Sequence, residues 1–269
     1  MPPAAQVSGC ARPAASGRFT RSRRTTMKTN HTKLRAARWI GLGIVAAATM
    51  AACGGGGDSG GGGPVGPQTV ASGKISGTAA VGAAMANASI TIACAQGNGA
   101  GTATASGAYA LSFAFSGPCS ITGSTGSATL HSLANGSGTF NVTPLTELML
   151  VYLAAELGTD LNGLLAGLGT NTAYQAAASN NADLAAAQGG VAAVLKKLYG
   201  ITLSTSAFLT TAFTPGQPGA DADLDALQAA GAFTSNGTPS ATLLSAVAAA
   251  GTTANSPTGG TGGSTSGTP

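Results

Sequence analysis

The sequence predicts an α+β chain, a small β-sandwich followed by a small all-α helical domain. Two changes of rhythm carry that reading. Over residues 70–142 apolar residues recur at alternate positions in short runs separated by turn residues, the pattern of half-buried strands. At Thr143-Pro144 the period lengthens to that of a helix, and it stays so through residues 143–250. A third observation sets the limits of both. They lie between stretches, 53–69 and 251–269, so rich in Gly, Ser, Thr and Pro that neither can build a core; the second is expected to be a disordered tail.

Residues 1–26 are rich in Arg, Pro and Ser and lack an apolar run, so they read as a disordered or mis-assigned extension ahead of a start at Met27. Residues 27–52 have the three parts of a secretory signal: basic Lys28, Lys33, Arg35 and Arg38, an apolar run over 39–50, and small Ala51-Ala52. The apolar run is 12 residues, too short to cross a hydrocarbon core of ~30 Å. Met50-Ala51-Ala52-Cys53 resembles the lipobox of bacterial lipoproteins, with Met50 where Leu is usual. The resemblance implies that Cys53 is acylated and becomes the first mature residue. Two or three acyl chains, at about 0.8 kcal/mol per buried methylene, make a stable anchor. Gly54 after the cysteine, where an Asp would signal inner-membrane retention, implies the outer membrane.

A competing reading is a twin-arginine signal, which Ser22-Arg23-Arg24 and Lys28 resemble; of the apolar pair it requires, only Met27 fits, Thr26 standing in the other place. Residues 53–69 then form a Gly-rich tether. Within it Gly57-Asp58-Ser59-Gly60-Gly61 spells the nucleophile motif of trypsin-like proteases. Low-complexity sequence gives that serine no scaffold, and His131 follows it where that family's base precedes. The match is coincidence.

In the β region Ile90, Ile92 and Cys94 share one face, Tyr109, Leu111, Phe113 and Phe115 another, and Cys119 and Ile121 a third. Weaker strands are expected at 74–77 and 128–131. Three segments are similar to the carboxypeptidase regulatory-like (transthyretin-like) β-sandwich, an Ig-like fold: Gly73-Lys74-Ile75-Ser76-Gly77, Ala86-Asn87-Ala88-Ser89-Ile90-Thr91-Ile92, and the run from Thr102 through Gly107 and Tyr109 to Leu111. Such domains are commonly non-catalytic modules beside another domain. Cys94 and Cys119 both take core-facing positions, and in an oxidising compartment pairing is the default. The aromatic alternation reads as core, since Trp, the usual sugar-stacking residue, occurs only at Trp39.

In the helical region Thr143 is placed to cap and Pro144 to open the first helix, with Leu145, Leu148, Met149, Tyr152 and Leu157 on one face and Gly158 as the stop. Further helices are expected at 161–168, 180–199, 221–230 and 240–250. The third helix carries Leu184, Val191, Leu195 and Leu198, with Gly189-Gly190 marking a kink or a close contact. Phe208 and Phe213 plug an irregular connection. Asn141 to Leu148 (Asn-Val-Thr-Pro-Leu-Thr-Glu-Leu) is similar to a segment of Gly-rich proteobacterial lipoproteins.

Charge and residue types exclude most chemistry. Nine of twelve Lys+Arg precede Cys53, so the remainder has three lysines against eight acids, a formal charge of 3 − 8 = −5, and no basic footprint for nucleic acid. Asp221, Asp223 and Asp225 have the spacing that opens an EF-hand, but Ala226 and Ala232 stand where its Gly and Glu belong; the acids suit a helix N-terminus. With one histidine and two paired cysteines after the leader, zinc lacks ligands. Gly41, Gly43 and Ala46 mimic a dinucleotide fingerprint inside the signal, and Gly73-Lys74 lacks the upstream Gly of a phosphate loop. Glu147 and Glu156, nine apart on one helix, face opposite sides and make a poor acid/base pair. His131, at a strand end, reads as a surface or satisfied residue.

No catalytic, metal or cofactor residue is therefore expected, and the site residues are Cys53 for lipidation with Cys94 and Cys119 for a disulfide. The expected protein is a non-enzymatic, lipid-anchored, structural or interaction protein of the cell envelope, held to the outer membrane through Cys53 and meeting envelope proteins or glycans. The alternative is an envelope glycan- or small-molecule-binding lipoprotein. That alternative requires a pocket beside Tyr152 or Tyr174, or between the two domains. A hydrolase requires His131 within reach of both a serine and an acid.

Overall fold

Period-two alternation becomes strands here because each run buries one side chain in two. In the computed structural model, which describes residues 70–255, these lie within one compact unit and form an α+β arrangement of seven strands in two sheets and six helices. The signal, Cys53, the tether and residues 256–269 lie outside the described residues.

Strand β1 (Ser72–Thr78) is central in the smaller sheet, antiparallel to β4 (Ala108–Ala114) and parallel to β7 (Gly138–Thr139). The larger sheet is antiparallel in the order β3-β2-β5-β6, formed by Asn98–Thr102, Ser89–Gln96, Ser116–Ser124 and Thr129–Ala134. Ile75, Ile90, Ile92, Tyr109, Cys119, Ile121 and Leu130 are buried, as the alternation placed those it named. Leu111 and Phe113 are only half-buried. They rest on β3, a strand that Asn-Gly-Ala-Gly-Thr disguises as a turn. A Cβ at Gly99 would come within 2.7 Å of the Phe113 ring, and one at Gly101 within 3.2 Å of Leu111. The two glycines leave room for the side chains of β4.

Cys94 and Cys119 are directly opposite each other on β2 and β5 and form a disulfide. Cys119 is fully buried and Cys94 half-buried, so the bond joins neighbouring strands of one sheet. It closes a loop with a sequence separation of 25. The chain-entropy model gives such a loop about 3.5 kcal/mol.

Helix α1 (Pro144–Glu156) is buried nearly all round, with Leu150, Leu153 and Ala154 inside as well as the expected Leu145, Leu148, Met149 and Tyr152. A single apolar face was too narrow a description, because α1 is wedged among β6, α2 (Leu161–Gly167), α4 (Asn181–Tyr199) and α6 (Ala241–Asn255). Gly158 and Gly200, each at φ 72°, end α1 and α4 in the left-handed conformation that glycine adopts without steric cost. Between α2 and α4 lies a helix the sequence reading lacked, α3 (Thr172–Ser179). Asn171 caps it by accepting the Ala173 and Tyr174 N–H groups, and Asn180 both ends α3 and caps α4. Helix α5 spans Ala220–Ala229.

Two further differences are instructive. Leu198, placed on the apolar face of α4, is 42% exposed at the rim of a shallow groove that it lines with Ala246, Ala249 and Ala250 of α6, whose small side chains leave it uncovered. Helix α6 runs to Asn255, through the Gly251 expected to begin the tail. Gly251 is buried there because a Cβ would collide with the Tyr152 carbonyl of α1. It is a contact glycine, not a stop. One apolar cluster extends from Ile75 and Ile90 through Val142 to Leu148, Val191 and Val247, so strands and helices share a core. Among the described residues no single helix is long and apolar enough to cross a membrane.

Candidate functional site

Residues 141–148 join the strands to the helices, and their polar side chains make the joint. Asn141 is fully buried. Its Oδ1 accepts the Thr78 N–H at 3.2 Å, while Nδ2 donates to the carbonyls of Phe208 at 3.0 Å and Thr211 at 2.7 Å. One side chain thus ties the end of β1 to the irregular connection after α4. Thr143 and Thr146 form a reciprocal cap at the start of α1, each hydroxyl accepting the other's backbone N–H at 3.3 and 2.9 Å.

The same turn covers the outer edge of β6, the last strand of its sheet. Glu147 Oε2 accepts the His131 N–H at 2.6 Å, and the Thr146 hydroxyl lies 2.9 Å from the His131 carbonyl oxygen. An exposed strand edge would leave both groups to solvent or to another chain. The ring joins in, with Nδ1 at 3.0 Å from Glu147 Oε2 and 3.2 Å from Oε1. His131 and Glu147 are 16 apart in sequence, too far for any local pattern to pair them. His131 lies inside β6, opposite Thr122, and not at a strand end as the sequence suggests, because β6 continues to Ala134. Among the described residues no serine hydroxyl hydrogen-bonds the His131 ring.

Beside this joint a cleft of about 470 Å³ opens between β6 and the helices. Leu130, Val151, Leu161 and Leu244 form its walls, and Glu147 and Asp160 bring carboxylates to it. It therefore lies between the 70–142 and 143–250 segments, with neither Tyr152 nor Tyr174 in its lining. The volume suits a small organic ligand.

The other acids are separated. Glu156 lines a different cavity, of about 170 Å³, with Asp183 and Asn255. Burial first, then the Asp183 charge, pushes the Glu156 carboxyl above its usual range. Asp221, Asp223 and Asp225 diverge, since Asp223 Oδ2 accepts from Ser204 N–H and Oγ–H at 2.7 Å while Asp221 Oδ2 accepts the Gly216 N–H at 2.6 Å. Asp221 is 1% exposed, and its Oδ1 is buried without a partner. Burial raises its carboxyl above the usual range; the Gly216 N–H opposes that shift and Asp225 adds to it. Among the described residues no three His, Cys, Asp or Glu side chains cluster as a metal site would require.

No protein-family model, no curated protein and no solved structure matches this chain.

Proposed function

We propose that this chain is a lipid-anchored protein of the bacterial cell envelope that binds a small ligand without transforming it. The observation that carries the binding half is the apolar cleft between the strands and the helices, with its two carboxylates. The anchoring half rests on Met50-Ala51-Ala52-Cys53 and the basic-apolar leader before it. A non-catalytic role is favoured because, among the described residues, the one His–acid pair is spent on covering a sheet edge. The β region is a carboxypeptidase regulatory-like (transthyretin-like) sandwich in this proposal. Its support is the pairing of β1 with β4, which sets Gly77 opposite Tyr109 and lets the Tyr109 hydroxyl donate to the Phe140 carbonyl above it.

Expression in a Gram-negative host, with membrane fractionation and intact mass, tests the anchor. The wild type should begin at acylated Cys53 and pellet with outer membrane, and Cys53→Ser should be released. A wild type that is soluble, or that keeps its leader, would sink that half. For the binding half, a small-molecule library screened by NMR should perturb residues of the cleft. Hits confined to other surfaces would reject it.

A second reading, a purely structural or interaction protein of the envelope, draws on the exposed Leu198 beside Lys197 at the end of α4. Partner capture abolished by Leu198→Ser, with the cleft silent towards ligands, would favour it.

A further inference from the structure

We infer that the cleft takes a ligand with an aliphatic body and a terminal ammonium group. The inference deepens the binding reading above and rests on it. Its first support is the charge of the lining, which holds the carboxylates of Glu147 and Asp160 and no lysine or arginine. The lysines of the described residues are elsewhere: Lys74 on β1, and Lys196 and Lys197 in the last turn of α4. An anionic ligand would meet two like charges, that of half-buried Glu147 the less screened and that of exposed Asp160 the more.

The second support is unused acceptor capacity. A carboxylate has about four lone-pair sites. Glu147 gives Oε2 to the His131 N–H and to Nδ1, and Oε1 has only the longer 3.2 Å approach of the same ring nitrogen. Asp160 commits Oδ1 to the Gly163 N–H at 2.7 Å, and among the described residues no protein group donates to its Oδ2. The ammonium group, with three donors and a positive charge, matches such oxygens, and charge-assisted hydrogen bonds are the stronger kind. The third support is the wall itself, where Leu130, Val151, Leu161 and Leu244 offer an aliphatic chain burial beside those carboxylates.

The test is a methyl- and amide-detected NMR titration of the full chain in detergent with n-hexylammonium, n-hexanol and hexanoate. The expected result is that n-hexylammonium shifts the Leu130, Val151, Leu161 and Leu244 signals and binds about tenfold or more tighter than n-hexanol, with hexanoate weakest. Glu147→Gln keeps an oxygen for the His131 N–H and should reduce the preference for the amine while leaving n-hexanol binding intact. Asp160→Asn, which retains a capping oxygen for α2, should act in the same direction. Ala248→Leu, which fills the cleft, should abolish binding of all three. Equal affinities for n-hexylammonium and n-hexanol would overturn the ammonium inference and leave the cleft as an apolar site. Silence of the cleft signals towards all three probes would overturn the binding reading itself.

Discussion

Gly189 and Gly190 are consecutive glycines in the interior of α4, and the structure predicts opposite signs for the same substitution at each. Glycine costs a helix interior about 1 kcal/mol relative to alanine. Gly189 is exposed, and a Cβ there would meet no atom within 4 Å. Gly189→Ala should therefore recover that amount, about 1 kcal/mol, through helix propensity alone. At Gly190 a Cβ would run into the ring of Tyr152, itself 8% exposed on α1. Overpacking of this kind costs roughly 1–3 kcal/mol, and the Tyr152 ring has little room to retreat. Once the helix gain of about 1 kcal/mol is subtracted, Gly190→Ala should destabilise by about 0–2 kcal/mol, so the two variants should differ by roughly 1–3 kcal/mol. Urea unfolding followed by circular dichroism, with unchanged slopes, measures both. In a Tyr152→Leu background the penalty at Gly190 should vanish, giving a coupling energy equal to the overpacking cost, roughly 1–3 kcal/mol. Equal stabilisation by both alanines, or no coupling to Tyr152, would refute the placement of α4 against α1.

Asn141→Leu should cost about 3 kcal/mol or more, because it leaves the Thr78 N–H and the Phe208 and Thr211 carbonyls without their partner; loss of under 1 kcal/mol in urea unfolding would contradict the brace. Replacing Cys94 and Cys119 together by alanine should lower stability by about 3.5 kcal/mol, checked against the oxidised wild type in the same assay. Asp221 gives a pH dependence of definite sign. Its folded carboxyl is raised, so between the unfolded carboxyl's range near pH 4 and its own higher range the folded state binds more protons. Stability contributed by the protonated form is complete below about pH 4 and is lost as pH rises through the folded range. Asp221→Asn retains an oxygen for the Gly216 N–H, so thermal unfolding from pH 4 to 8 should show a flatter profile and a higher midpoint at the alkaline end; a parallel profile would refute it.

Where packing obeys a simple period, the sequence spoke clearly. Ile90, Ile92, Tyr109, Cys119 and Ile121 went to the core of the sheets, and Thr143-Pro144 opened α1 with a side-chain cap. Glycine was the main source of error, because one residue type does several jobs. It ends α1 at Gly158, makes room for aromatics at Gly99, and lets helices touch at Gly190 and Gly251. Only the partner's position distinguishes these, and a partner far along the chain has no local signature. Helix α3 was missed for a related reason: Thr-Ala-Tyr-Gln-Ala-Ala-Ala-Ser buries just Ala178, so it has almost no apolar stripe. The cleft was invisible in the sequence because its walls come from β6, α1, α2 and α6, and each of its leucines also reads as ordinary core.

The same logic bears on why residues 141–148 have their composition. Every polar side chain among them has a backbone partner: Asn141 at Thr78, Phe208 and Thr211, Thr143 and Thr146 in the cap, and Thr146 and Glu147 on His131. Pro144 lacks an N–H at a position where the helix leaves that donor unused. The apolar members Val142, Leu145 and Leu148 are buried in the shared core. A segment so fully occupied explains its own residues without any appeal to catalysis. It also explains why a histidine and a glutamate meet here, since each satisfies the geometry of an edge strand under a helix. What the joint leaves over is part of the Glu147 carboxylate, which lines the cleft with Asp160, a residue past the far end of α1, also in the lining. Structure accounts for the pairing of Glu147, and only that remaining part is available for a ligand.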